Sequence, residues 1–382
     1  MPSTVRSIER VSTTGDASTP PAPSEIAPSL GHPGAVADPD GTTAGHFGDP
    51  FAEQRAAETG SALVDRSDRE FVVLTGPERL TWLEGFISQH VTELAEGEST
   101  RSLILDANGR VEHSFGIYAT ADSLVLDTAA GRAQSLFEFL DKMVFWSEVT
   151  PRIASELALL TVVGPSAASV LDSLDDVAAP APTDWLIARR ARHGSAGHTG
   201  EDVIVDRAQL GRAWTALAEA CSAVMGRWGF DALRVMELVP DETDLDEKTI
   251  PHEVPAWIGD VASGGAVHLD KGCYRGQETV SRVHNLGRAP RALVRLLLDG
   301  SEDELPGAGA EVKAGSRTVG RLGTAVHHHE LGPVALALVK RNVGADVALT
   351  VSDGAASIDP DSLPDDSGPQ AGRDAIKRLR EG

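Results

Sequence analysis

A chain of 382 residues is long enough for two or three domains with substantial cores. Its 34 Lys and Arg stand against 57 Asp and Glu, a net charge of −23 that argues against general binding to nucleic acid or anionic membranes while leaving room for a local basic patch. Cys221 and Cys273 are too few for a disulfide framework, no apolar run approaches the ~20 residues of a spanning helix, and no apolar signal core opens the chain, so the expectation is a cytoplasmic protein with reduced thiols.

In chain order, residues 1–49 are Pro, Ser, Thr, Ala and Gly with few large apolar side chains, the composition of a disordered tail. A first α+β domain spans 50–155. Phe71–Leu74 reads as a strand, and Thr75-Gly76-Pro77-Glu78 as a capping box opening a helix with Leu80, Leu83 and Ile87 on one face. Strands Arg101–Asp106 and Arg110–Ala119 flank Asn108-Gly109, a strong hairpin signal. Strand Leu124–Asp127, a helix near Ala130–Val144 and strand Glu148–Ile153 complete the run. The next unit, 156–226, reads βαββα: strand Leu157–Val163, helix Pro165–Leu174, strands Trp185–Arg190 and Asp202–Val205, helix Arg207–Met225. That order suits a ferredoxin-like split sheet with helices on one face. In 288–351 short β-rich runs (Ala292–Leu298, Val334–Val339, Val347–Val351) punctuated by Gly suggest a small β-barrel, and 352–382 returns to tail composition.

The stretch Lys271-Gly272-Cys273-Tyr274-Arg275-Gly276-Gln277-Glu278 sets a cysteine between two cations, with glycines on both sides. A thiol reacts as its thiolate, which neighbouring cations favour, and glycine admits backbone conformations or close approaches that other residues resist. Cys273 is the candidate functional thiol, against the common fate of a free cysteine as a small buried hydrophobe. Cys221, sharing a helical face with Trp214, Leu217, Ala218 and Met225, reads as core. From Lys271 to Arg295 there are six cations (Lys271, Arg275, Arg282, Arg288, Arg291, Arg295) and one acid, Glu278, in a chain that is acidic elsewhere. This inversion fits an anionic ligand. Arg291 and Arg295 read as solvent-facing residues of the following strand; Arg275, Arg282 and Arg288 fit a ligand role and a solvated surface equally well.

The signature resembles the KGCYxGQE run of the YgfZ family of folate-binding proteins, relatives of the glycine-cleavage aminomethyltransferase. The resemblance extends through Thr249-Ile250-Pro251-His252-Glu253, Arg282-Val283-His284-Asn285-Leu286-Gly287 and Gly332-Pro333-Val334-Ala335-Leu336-Ala337, and is traceable from about Phe71. It implies an aminomethyltransferase-like α+β fold of three domains: the first completed by about 227–287, the second ferredoxin-like, the third a C-terminal barrel, with tetrahydrofolate where they meet. Lys271, Tyr274, Arg275, Gln277, Glu278, Glu253, Arg282 and Arg288 are then the candidate folate-binding residues. Glu253 or Glu278 would pair with the pterin edge, Tyr274 would clamp its face, and arginines would meet the glutamate tail. Each of these side chains has a structural alternative, such as bonding backbone at a turn.

Two positions depart from the aminomethyltransferase pattern. Where that enzyme carries paired aspartates after a Gly-Gly turn, this chain has Glu112-His113 after Asn108-Gly109, and where it carries Glu after Arg-x, this chain has Met236 after Arg234-Val235. The family reading is therefore a folate-binding accessory protein, a monomer that supports iron–sulfur client or assembly proteins, including tRNA-thiolating enzymes. A folate-dependent one-carbon transferase and a thiol-dependent interaction module are the alternatives. His327-His328-His329 alternate faces on a strand and read as a solvated strand end, and no metal site is expected.

Overall fold

The computed structural model describes residues 27–175, 186–192, 200–301 and 304–364. A short antiparallel pair, β1 (Val36–Ala37) and β2 (Ala44–His46), precedes α1 (Pro50–Thr59), which starts where Asp49 accepts hydrogen bonds from the amides of Phe51 and Ala52. Ser29 and Ala44 are buried, so the part of the expected tail from residue 27 is built into the fold; residues 1–26 lie outside the described residues.

There follow β3 (Ala62–Asp65), β4 (Glu70–Thr75), α2 (Arg79–Glu84), β5 (Ser99–Leu105), β6 (Val111–Ala119), β7 (Ser123–Thr128), α3 (Ala133–Lys142), β8 (Thr150–Ile153), β9 (Leu157–Val163), α4 (Ala167–Asp175), β10 (Leu186–Arg192) and β11 (Gly200–Asp206). Next come α5 (Leu210–Ala220), β12 (Ala223–Met225) and α6 (Arg227–Met236). One five-stranded sheet runs β5-β6-β7-β4-β8, another β10-β11-β9-β3-β12. Strand β9 is buried on both faces, which explains its unbroken apolar sequence. Ala158, Leu160 and Val162 point into a core with Leu63, Val203, Ala213, Trp214 and Leu217, while Leu157 and Leu159 join Phe71, Val73, Tyr118 and Val125.

Three helix expectations change. The helix expected over Arg207–Met225 stops at Ala220, because Cys221 is extended and Ala223–Met225 pairs in parallel with β3, tertiary pairing overriding helical periodicity. The expected capping box does not form: the Glu78 carboxylate instead accepts from the Glu148 amide at 2.8 Å, and α2 ends at Glu84, before Ile87. The helix expected to reach Val144 ends at Lys142, and Phe145 stands in the left-handed region at φ 44°.

After α7 (Gln277–Leu286), the strands β13 (Arg291–Leu298), β14 (Glu311–Ala314), β15 (Arg317–His328), β16 (Gly332–Lys340), β17 (Leu349–Val351) and β18 (Gly354–Ile358) close a six-stranded barrel. The fold is α+β with this barrel at its C-terminal end. Ala292, Val294 and Leu296 alternate inward against Leu322, Ala335, Ala337 and Val339. The barrel therefore runs past its expected end at 351: β18 pairs with β13, Ile358 is buried, and Asp359 binds Arg295. Residues 365–382 lie outside the described residues.

The chain divides into two compact units. One comprises the chain up to Leu83 with Val91–Thr100 and Phe115–Leu233; the other comprises Glu84–His90, Arg101–Ser114 and the chain from Arg234 onward. The Asn108-Gly109 hairpin tip is thus grouped with the signature and the barrel.

Candidate functional site

Two glycines fix the backbone around the signature. Gly109 (φ 78°) turns the hairpin and Gly276 (φ 83°) starts α7. A Cβ on Gly276 would lie 2.7 Å from the Asp106 carbonyl oxygen and 3.0 Å from Gly109 Cα; one on Gly109 would lie 2.7 Å from Thr279 Cβ. The hairpin tip and the start of α7 therefore meet backbone to backbone, which only glycine permits. Asp106 holds the tip, its Oδ1 accepting from the amides of Asn108 and Arg110 at 2.8 Å each.

Lys271 has a fully buried side chain. Its ammonium donates to the carbonyls of Glu84 (2.8 Å), Ile87 (2.7 Å) and Gln89 (3.0 Å) and lies 3.2 Å from Glu84 Oε1. Three carbonyls use all three of its protons, as a buried charge requires, so it is a clasp on segment 84–90 with no donor left for a ligand carboxylate. Burial lowers its pKa, and Glu84 opposes that. The Tyr274 ring lies 5.2 Å from Lys271 Nζ and is 8% exposed, which leaves little face for a pterin; burial pushes its hydroxyl up to about 12. Gln277 Nε2 donates to the Lys271 carbonyl at 3.1 Å, closing the turn on itself.

Cys273 lies between these anchors and is exposed. The cations that flank it in sequence are both engaged, Lys271 in its cage and Arg275 with Glu112 (Nη1 to Oε2 2.8 Å, Nη2 to Oε1 3.5 Å). Glu278 pairs with Arg282 one turn along α7, both largely exposed, and Arg288 is exposed beyond the helix. Cys221 packs against the core as expected, and burial pushes its thiol up to about 11.

Half of the inverted charge run, Lys271, Arg291 and Arg295, is thus spent inside the protein, while Arg275, Arg282 and Arg288 stay exposed. Arg291, expected in solvent, donates to Glu253 (Nε to Oε1 2.8 Å, Nη2 to Oε2 2.7 Å) and to Asp246 (Nη1 to Oδ2 2.5 Å). Glu253 is fully buried and also accepts from the Ile250 amide, so its carboxylate meets Arg291 and not a pterin. The Arg291 guanidinium holds the Asp246 carboxyl down to about 2. Arg295, also expected in solvent, is 8% exposed and bonds Asp359 and the Met236 carbonyl. Arg234 bonds Asp244 and Thr324.

Sequence reasoning missed Glu84, Asp246 and His252. The first two carried no spacing signal. His252, in the turn Pro251–Glu253, has both ring nitrogens buried without a hydrogen-bond partner; its ring centroid is 6.0 Å from that of His284, and burial followed by the His284 charge holds it down to about 4. His328 also departs from expectation: it is 4% exposed and its Nδ1 accepts from the amides of Glu330 and Leu331, a turn device rather than a solvated strand end.

The hairpin tip meets the start of α7 at Gly276, and the barrel follows. Residues 47–254, more than half of the chain, match the GCVT N-terminal domain, and the chain belongs to that family. It is similar to the tRNA-modifying protein YgfZ of Colwellia psychrerythraea, 28% identical over 242 residues that cover 60% of this chain and 70% of that one. It is also similar to the aminomethyltransferase of Thermotoga sp. (strain RQ2), 26% identical over 312 residues covering 77% and 82%. The solved structure of glycine cleavage system aminomethyltransferase T from Bartonella henselae superposes with a TM-score of 0.68 at 18% identity, over 85% of this chain and 93% of that one, and establishes an aminomethyltransferase-like fold.

Proposed function

We propose that this protein is a tetrahydrofolate-binding accessory factor that supports iron–sulfur enzymes, including those that thiolate tRNA, by presenting the Cys273 thiol to a client. The observation that carries this reading is the state of Glu112, the acid nearest in sequence to where a catalytic aspartate would stand: it is ion-paired to Arg275 rather than poised as a general base. The intact signature and the likeness to a tRNA-modifying protein support it. Among the residues proposed to hold folate, the exposed cations Arg275, Arg282 and Arg288 fit a glutamate tail, and Glu278 is the exposed acid; Glu253 and Lys271, being spent internally, do not fit. Tetrahydrofolate would supply a bound one-carbon carrier or redox-active pterin.

Calorimetry with tetrahydrofolate and its polyglutamates tests binding, with a dissociation constant on the order of micromolar expected; no heat and no competition at near-millimolar ligand removes the folate assignment. Cys273→Ala abolishes support of iron–sulfur enzyme activity in complementation and keeps folate affinity. Cys273 also alkylates faster than Cys221, which is half-buried against the core with a raised pKa. Steady turnover of methylated amines with tetrahydrofolate would instead establish a one-carbon transferase.

A further inference from the structure

Phe145 and Trp146, in the connection from α3 to β8, are 78% and 99% exposed, the two most exposed large apolar side chains among the described residues. Only 4% of the chain is aromatic, and a solitary exposed leucine would call for no explanation, whereas two adjacent aromatics in water form a patch that does.

A second, independent oddity coincides with the first. Phe145 adopts φ 44°, the left-handed region that is strained for a bulky residue and that Gly or Asn would occupy more cheaply. The loop is fastened on both sides of this residue. The Trp82 indole N–H donates to the Met143 carbonyl at 3.0 Å, the Ser147 amide to the Val144 carbonyl at 2.9 Å, and the Glu148 amide to Glu78. Gly76 leaves no room for a side chain against the Glu148 carbonyl. The two rings are therefore held out by a strained and anchored turn, and neither is a loop residue that merely failed to find a core.

We propose that the Phe145–Trp146 knob is a docking element that inserts into an apolar slot on a protein partner whose rim carries lysine or arginine. Charge selects the occupant. Among the described residues on and beside the loop, the exposed ionisable ones are Glu78, Glu138, Asp141 and Glu148 against Lys142. The half-buried Arg79 and Arg152 are engaged, Arg79 with the Gly76 and Ala121 carbonyls and Arg152 with Glu156, and the chain as a whole carries a net charge of −23. RNA phosphates and anionic lipid are repelled, and a second copy of this chain brings the same acids to the contact. A cationic rim is complementary, and an aromatic pair entering a pocket is the common anchor of such interfaces. The inference does not depend on folate binding.

The test uses the full chain and two labelled leucine-rich amphipathic helical peptides, one with lysine and one with glutamate on its polar face, read by fluorescence anisotropy at near-physiological salt. The lysine peptide binds the wild type about tenfold more tightly than the glutamate peptide, and Trp146→Ser removes about tenfold of that affinity, as loss of a hot-spot tryptophan does, with an unchanged melting temperature. Phe145→Asn raises the melting temperature and weakens the same binding. Equal affinity of wild type and Trp146→Ser for the lysine peptide overturns the proposal. So does Trp146-dependent self-association in sedimentation velocity, or Trp146-dependent binding to an RNA oligonucleotide or to phosphatidylcholine vesicles, each of which would assign the knob to another occupant.

Discussion

Lys271 and Arg275 are four residues apart and carry the same charge, yet burial gives them opposite roles. The Lys271 ammonium is enclosed by three carbonyls and Glu84, so Lys271→Met leaves those acceptors buried and unpaired and lowers stability in urea unfolding by about 3–5 kcal/mol. Lys271→Arg does not restore it, because a planar fork cannot reproduce three converging bonds. A variant of normal stability that lost only folate affinity would move Lys271 into the binding site. The Arg275–Glu112 pair is close to half exposed on both sides, and such pairs contribute about 0–1 kcal/mol, so Glu112→Gln leaves the melting temperature nearly unchanged. On the folate reading it also frees the guanidinium, and affinity for polyglutamylated folate rises several-fold over that for the monoglutamate. Equal change for both ligands would make the pair purely structural.

At the scale of elements, the two glycines of the signature separate cleanly. Gly276→Ala places a Cβ 2.7 Å from the Asp106 carbonyl oxygen in a left-handed conformation, and costs about 2–4 kcal/mol by thermal or urea unfolding. Gly272→Ala meets nothing within 4 Å and has no positive φ, so it is neutral. A large loss from Gly272→Ala would mean that the turn is tighter than its geometry. The Asn108-Gly109 hairpin and the apolar run of β9 were legible in the sequence because turn chemistry and burial on both faces leave local marks. Strands β3 and β12 were not: they are four and three residues long, pair with each other across a long stretch of chain, and show no alternation. The destinations of the cations were hidden for a related reason. The partners of Lys271 are backbone carbonyls, which no residue type announces, and Asp246 and Asp359 reach Arg291 and Arg295 only because the chain folds back 45 and 64 residues away.

For the whole molecule, the buried titratable groups set both limbs of the pH–stability curve. His252 is held down to about 4, against an ordinary value near 6.5, so between those values the unfolded chain binds a proton that the folded chain refuses. Its contribution is fully present above about pH 6.5 and is lost as pH falls toward 4, on the order of 3 kcal/mol. Asp246, held down to about 2 by Arg291, acts in the same direction at lower pH, while Asp38 and Glu53, raised by burial, act oppositely just above the usual carboxylate range. On the alkaline side Cys221 and Tyr274 are pushed up to about 11 and about 12, so the unfolded chain deprotonates first and stability falls as pH rises through about 9 to 12. Stability is therefore greatest from about pH 6.5 to 8.5. Urea unfolding across pH 4–8 isolates the acid limb: His252→Phe keeps the ring-sized apolar volume and removes the proton site, so the variant loses less stability than wild type between pH 6.5 and 4. His284, the charge facing His252, is exposed on α7, and His284→Gln recovers a smaller part of the same loss. Parallel curves for wild type and His252→Phe would show that the His252 ring takes up its proton as readily in the folded protein as in the unfolded chain.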